Sequence, residues 1–136
     1  MSNTSLWPSF GAIQSIITPK MILKEQAVFL ENVTSGYINT EIITSPHPTL
    51  LNKVSHVLKI TAPVVENYST AVVQVDHDMI KLYPLTVTSR IKAMPVAYTA
   101  ADQDEYLALL KRVFEEKETL ETIQSLLAQS RSNEKG

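Results

Sequence analysis

The stretch that decides the fold is Tyr68–Ser89, with the sequence YSTAVVQVDHDMIKLYPLTVTS. Its first part, Tyr68–Asp76, carries Ala71, Val72, Val73 and Val75 in one run, and valine favours extended backbone. Its second part, Ile80–Ser89, alternates apolar and polar residues, as a half-buried strand does. Only a short polar link separates the two parts, and links this short join antiparallel strands. The stretch therefore predicts a β-hairpin.

Two more strands are predicted upstream of this hairpin. Tyr37–Thr44 is rich in β-branched residues and is ended by the two prolines of Ser45–Pro48, because proline cannot continue a ladder. Lys53–Thr61 alternates apolar and polar residues. A helix over Leu50–Leu58 is an alternative interpretation of the same residues, and the pattern alone leaves it open.

Prolines limit the downstream end of the predicted sheet. Pro84 indicates an edge position or a bulge in the strand Ile80–Ser89. Arg90–Thr99, which contains Pro95, is interpreted as a connector rather than a strand. Short links between successive strands make neighbours in sequence neighbours in space. The middle of the chain therefore predicts a four-stranded antiparallel meander.

A helix is predicted before the meander. Thr18 supplies a capping hydroxyl, and Pro19 suits the first helical position, where no backbone N–H is needed. Apolar residues then recur every three or four positions as far as Val33, which is typical of an amphipathic helix. Gly36 stands where a left-handed C-cap residue is expected.

One or two helices are predicted after the meander. Asp102 and Glu105 form a capping pattern, and Glu118-Thr119 is a second possible helix start. We expect the apolar stripe of this region to pack on one sheet face, with a partner or dimer surface as the alternative. The candidate interaction residues on this stripe are Tyr106, Leu110, Val113, Leu120, Ile123 and Leu127.

The fold class predicted by these elements is α+β in a single domain over residues 1–136. Residues 1–17 are interpreted as an extended leader, in which we expect Trp7 or Phe10 to be buried against the core. Residues 131–136 are interpreted as a disordered polar tail.

Composition excludes several classes of site. The chain of 136 residues has no cysteine, which excludes disulfides, Cys-ligated zinc, iron–sulfur clusters and thiol nucleophiles. Its formal net charge of -2 offers no general attraction to nucleic acid or to an anionic membrane. Met1–Lys20 lacks the basic start and apolar run of a secretory signal, so we expect a cytoplasmic protein.

The local cluster of titratable residues is Asp76-His77-Asp78. A carboxylate can orient a neighbouring imidazole for acid/base chemistry, but adjacent strand residues point to opposite faces. A polar hairpin turn is the interpretation we favour. His47 is placed in a loop, and His56 on the apolar face of a strand, where packing is favoured over metal ligation.

No cofactor or metal site is predicted. Gly11, Gly36 and Gly136 are too far apart for a phosphate-binding loop, and no Ser lies in a Gly-x-Ser-x-Gly turn. We therefore expect a non-enzymatic binding or protein-interaction module, joined to itself as a homo-oligomer or to another protein.

Two alternatives from other classes remain. One is a small hydrolase or isomerase that uses Asp76, His77 and Asp78. The other is a carrier of a small ligand, which requires an apolar cavity of several hundred Å³ between sheet and helices, in the usual range of about 300–1,000 Å³.

Overall fold

The structure is a computed structural model that describes residues 4–10 and 16–134. The described elements are, in chain order, α1 (Pro19–Val33), β1 (Asn39–Pro46), β2 (Lys53–Ala62), β3 (Tyr68–Asp78), β4 (Leu85–Ser89), β5 (Val96–Ala100), α2 (Gln103–Phe114) and α3 (Lys117–Glu134). The predicted α+β class is confirmed.

The strands form one antiparallel sheet with the order β1-β2-β3-β4-β5. The predicted meander is confirmed, but the described sheet has five strands instead of four. The additional strand is β5, which comes from the segment interpreted as a connector. Pro95 lies directly before β5 and so costs no ladder hydrogen bond, and Val96 pairs with Ser89 of β4.

Asp76-His77-Asp78 is part of strand β3 and therefore lies within the sheet. β3 continues to Asp78, and residues 79–84 form the connection to β4. Asp76 pairs with Ser55 on one side and with Thr86 on the other. The interpretation of Asp76-His77-Asp78 as a hairpin turn is therefore wrong. β2 runs from Lys53 in register with β1, so the helical alternative for this region is also wrong.

The three helices of the described residues lie on one face of the sheet. α1 packs against β1 and β2, α2 packs against β4 and β5, and α3 contacts α2. Between the helices and the sheet lies one cluster of buried apolar residues, to which every second residue of the strands contributes. The Tyr106 hydroxyl donates to the carbonyl oxygen of Pro19 over 2.9 Å and so joins α2 to the start of α1.

The predicted helix ends are confirmed by their hydrogen bonds. The Thr18 hydroxyl accepts from the amide of Met21 at 3.1 Å, and the Asp102 carboxylate accepts from the amide of Glu105 at 2.9 Å. Gly36 is left-handed as expected, with a φ of 79°, but the C-cap is Thr34, and Ser35 between them is also left-handed, with a φ of 52°. Each of these features depends on residues within a few positions, which is why the sequence predicts them.

Two predictions about the chain ends differ from the structure. Trp7 is 77% exposed and Phe10 is also exposed, so the expected burial of the leader aromatics is wrong. α3 continues through Glu134, so residues 131–134 of the predicted tail are helical. The Asn133 side-chain amide donates to the carbonyl of Val64, which ties this last turn to the β2–β3 connection. Gly11 and residues 135–136 lie outside the described residues.

Among the described residues, no helix combines the length and the apolar character that crossing a membrane requires.

Candidate functional site

The structure does not bring the side chains of Asp76, His77 and Asp78 together. Successive residues of β3 point to opposite faces of the sheet. The Asp76 carboxylate lies on the face opposite the helices, where it accepts hydrogen bonds from the Ser55 hydroxyl and, at 3.0 Å, from the Gln74 side-chain amide. The His77 ring lies on the helix-covered face. The arrangement needed for the predicted acid/base cluster is therefore not assembled in this conformation.

Asp78 has a local role at the end of β3. Its carboxylate accepts from the amide of Ile80 at 2.9 Å and from the amide of Lys81 at 3.2 Å. These backbone hydrogen bonds hold the pKa of Asp78 below its ordinary value. The carboxylate thereby satisfies backbone donors of the turn that leads to β4, in the manner of an Asx turn.

The helix-covered face carries a pair of buried histidines that the sequence does not reveal. His56 and His77 are only 4% and 6% exposed, and their Nε2 atoms lie 2.8 Å apart. They are separated by 21 positions in sequence, and antiparallel pairing of β2 with β3 brings them together. The sequence places His56 on the apolar face of a strand, which is the one sign of this pair. That His77 is its partner follows only from the register between β2 and β3.

Hydrogen bonding defines the tautomers of this pair. The Nδ1 of His77 lies 2.7 Å from the carbonyl oxygen of Asp78, and a carbonyl only accepts, so this nitrogen carries the proton. In the neutral ring the Nε2 of His77 then accepts from the Nε2–H of His56. The Nδ1 of His56 in turn accepts from the Thr44 hydroxyl at 2.9 Å. Every ring nitrogen of the pair therefore has a partner.

The protonation of His56 is set by its surroundings. Burial is the main cause that lowers the pKa of His56 from 6.5 to about 4; His77 and Lys20 contribute to the lowering, and the Asp76 carboxylate opposes it. His56 is therefore neutral at physiological pH. Across the described residues there is no group of three or more His, Asp or Glu arranged to hold a metal ion. The pair is a polar network within the core.

The other prominent feature is an apolar groove between α1 and α3, here called the α1–α3 groove, with a volume of about 360 Å³. Leu58 and Val72 form its buried floor. Val72 is the extra residue at a β-bulge opposite Leu58 and Lys59, and it joins the neighbouring Val73 on the helix-covered face. The groove is lined by Gln26, Phe29, Leu30, Val33, Thr34, Leu58, Val72, Phe114, Thr119, Leu120, Ile123 and Leu127.

The rim of the α1–α3 groove is apolar and exposed. Phe29 and Val33 of α1 and Leu120 of α3 all show large exposed fractions. Two of the three polar lining residues are already satisfied, because the Thr34 hydroxyl donates to the carbonyl of Leu30 and the Thr119 hydroxyl donates to the carbonyl of Val113. The groove therefore offers mainly apolar surface to an occupant.

The predicted interaction stripe divides into two groups. The members on α2 are fully buried core residues, whereas the members on α3 line the α1–α3 groove. The core group is Tyr106, Leu110 and Val113, and the groove group is Leu120, Ile123 and Leu127. The residues of α1 that complete the groove were missed as a site. Their signal was an apolar stripe on α1, which the pattern assigned to the core.

Comparisons of this chain with protein-family models, with curated proteins and with solved structures find no match.

Proposed function

We propose that this protein is a non-enzymatic interaction module whose α1–α3 groove binds an apolar segment of a polypeptide, either of a second copy or of another protein. The observation that carries the proposal is the open apolar groove of about 360 Å³ with an exposed apolar rim. Contiguous apolar surface of this kind is uncommon on a protein that has no partner.

The arrangement of the groove suits insertion of large apolar side chains. Its floor, Leu58 and Val72, is buried, so an inserted side chain meets packed atoms on one side. At the rim, Phe29 lies on the α1 side of the groove and Leu120 on the α3 side. Both side chains are partly exposed and lose exposed area when the groove is filled. Binding energy at interfaces concentrates in such pockets, where a few large side chains exclude water.

The chemistry of the lining favours binding over catalysis. Of the described residues that line the groove, none carries a side chain that titrates near neutral pH. Gln26 is the remaining polar group once Thr34 and Thr119 are bonded to backbone carbonyls. A groove with these groups supplies neither a nucleophile nor a general acid or base.

A carrier of a small apolar ligand is a second candidate function. The groove lies between sheet and helices, and its volume falls within the usual range of about 300–1,000 Å³ for small-molecule sites. Native mass spectrometry of the purified protein separates the two functions. A bound mass of a few hundred daltons that Leu120→Lys removes favours the carrier, and an unliganded chain favours the interaction module.

The test of the groove uses the apolar dye anilinonaphthalene sulfonate and two variants with similar exposure. Leu120 is 44% exposed and lines the groove, whereas Leu107 is 41% exposed on α2 outside it. We expect Leu120→Lys to reduce dye fluorescence several-fold and Leu107→Lys to leave it near the wild-type value. Circular dichroism checks that both variants are folded. Equal dye binding in the two variants would show that the groove is not the apolar binding surface.

A further inference from the structure

The chain carries a second exposed apolar surface, in the leader before α1. The segment Leu6–Phe10, with the sequence LWPSF and here called the leader segment, exposes Leu6, Trp7 and Phe10 to solvent. The rings of Trp7 and Phe10 pack on each other with centroids 6.3 Å apart, so they form one aromatic patch. Large aromatic side chains of this kind dominate interface energetics when they are buried.

The leader segment matches the α1–α3 groove in chemistry. The first 19 residues contain no Asp, Glu, Lys, Arg or His, and the groove lining contains none either. Docking one against the other therefore desolvates no charge, which is the largest cost of burying mismatched surfaces. Pro8 restricts the backbone around Trp7 to extended conformations and so reduces the entropy lost on binding.

We infer that the leader segment of one copy binds in the α1–α3 groove of a second copy, and that two chains exchange their leaders reciprocally. This inference rests on the proposed function of the groove, and it identifies the occupant as this chain's own sequence. An exchange of identical segments gives a closed, twofold-symmetric dimer in which both grooves are filled.

The geometry of α1 favours exchange between copies. The leader joins α1 at Pro19, whereas the groove lies along the other half of the helix, from Gln26 to Val33. These positions are about 10 and 20 Å from Pro19 at 1.5 Å per residue. A leader must reverse its direction to reach its own groove. Two α1 helices that run antiparallel across a twofold axis instead bring each leader beside the groove of the other copy.

The length of the connection permits this exchange. Seven residues separate Phe10 from Thr18. The eight Cα–Cα steps between Phe10 and Thr18 span at most about 26–29 Å when extended. That reach exceeds the distance from one end of α1 to the middle of the groove. Within the single chain the leader segment is exposed and the groove is open, so two unfilled apolar surfaces remain. Exchange buries both at once.

The protein supplies its own probe, because Trp7 is the single tryptophan of the chain. We expect light scattering to show a monomer that becomes a dimer as concentration rises. Over the same concentrations Trp7 emission should shift to the blue, and its quenching by acrylamide should fall. A common midpoint for the two transitions links dimer formation to burial of the leader segment.

Two neighbouring residues of α1 provide a matched pair of variants. Val28 and Phe29 are each 53% exposed, but only Phe29 lines the groove. We expect Phe29→Glu to weaken self-association by at least about tenfold and Val28→Glu to leave it unchanged. Val33→Glu, at a highly exposed groove position, repeats the test if Phe29→Glu affects folding.

Three outcomes would overturn the inference. One is a monomer at all concentrations with Trp7 accessible to quencher. Another is a monomer in which Trp7 is protected at every concentration, because the leader then fills its own groove. The third is a dimer that Val28→Glu and Phe29→Glu weaken equally, because the interface then lies elsewhere.

A leader variant separates failure of this inference from failure of the proposed function. In the full chain carrying Trp7→Ser and Phe10→Ser, dye binding is compared with and without Leu120→Lys. If the wild type is monomeric but dye binding in this background still depends on Leu120, the inference fails and the groove keeps its proposed binding role. If dye binding is independent of Leu120 as well, both fail.

Discussion

At the residue scale, the buried histidine pair is the feature with a measurable chemical consequence. His56 and His77 each have both ring nitrogens hydrogen-bonded when the pair is neutral. Adding a proton to His56 disrupts the bond that its Nδ1 accepts from Thr44 and places a charge in the core. The pair therefore couples the stability of the sheet to pH.

The low pKa of His56, about 4, predicts a loss of stability in mild acid. Well above pH 6.5 His56 is neutral in both the folded and the unfolded chain and contributes no pH dependence. Between pH 6.5 and 4 the unfolded chain binds a proton that the folded chain does not bind, so the free energy of unfolding falls. At pH 5 this loss amounts to about 2 kcal/mol.

Urea unfolding at pH 7.5 and pH 5 measures this contribution. We expect the free energy of unfolding of His56→Gln to fall by about 2 kcal/mol less than that of the wild type over the same change. Comparing each protein with itself cancels the direct cost of the substitution. Identical losses in the two proteins would contradict the tautomer and burial assignments of the pair.

At the element scale, helix ends follow local chemistry while strand ends follow pairing. α2 begins where the Asp102 carboxylate accepts from the amide of Glu105, and the Glu105 carboxylate accepts from the amide of Ala101 at 2.8 Å. The start of this helix is therefore stabilised by two reciprocal contacts across one turn. β3, by contrast, continues through the polar residues Asp76 and Asp78 because both neighbouring strands pair with it.

The cap of α2 gives a prediction with a built-in control. Asp102→Ala removes the capping carboxylate and is expected to lower the free energy of unfolding by about 1 kcal/mol. Asp104→Ala removes an acid from the same first turn without a capping hydrogen bond, and a loss of only about 0.3 kcal/mol is expected. Urea unfolding of the three proteins tests the difference. Equal losses would mean that charge alone, not the cap, stabilises the helix start.

At the scale of the whole molecule, the three helices of the described residues cover different parts of one sheet face. α1 and α2 seal the core, and α3 leaves the groove open beside α1. The C-terminal apolar stripe therefore serves two purposes: its α2 part stabilises the fold, and its α3 part forms a wall of the groove.

Truncation of one leucine from each half of the stripe tests this division. Leu110 is buried, so Leu110→Ala is expected to lower the free energy of unfolding by about 2–5 kcal/mol through lost contacts and a cavity. Leu120 is half-exposed, and Leu120→Ala is expected to cost less than about 1 kcal/mol. Thermal or urea unfolding gives both values. A larger loss at Leu120 than at Leu110 would contradict the assignment of α3 to the groove.

Part of the candidate site was predictable from sequence. Leu120, Ile123 and Leu127 belong to a stripe with helical spacing, and that spacing identifies them as one apolar surface without showing what covers it. The role of Phe29 in the groove could not be predicted from sequence, because side chains that face the core and side chains that face the groove recur with the same helical periodicity. The histidine pair was hidden for another reason, since contact between His56 and His77 depends on the register of two strands.

The amino-acid sequence by itself determined the class of the fold, the order of the helices and the first four strands, and the caps at Thr18 and Asp102, because all of these follow from side-chain periodicity and contacts within a few residues. Only the tertiary structure decided that Val96–Ala100 completes the sheet. It also decided that two histidines meet and that a groove stays open between α1 and α3. These features depend on pairing and packing between distant segments, whose free energies no local pattern encodes.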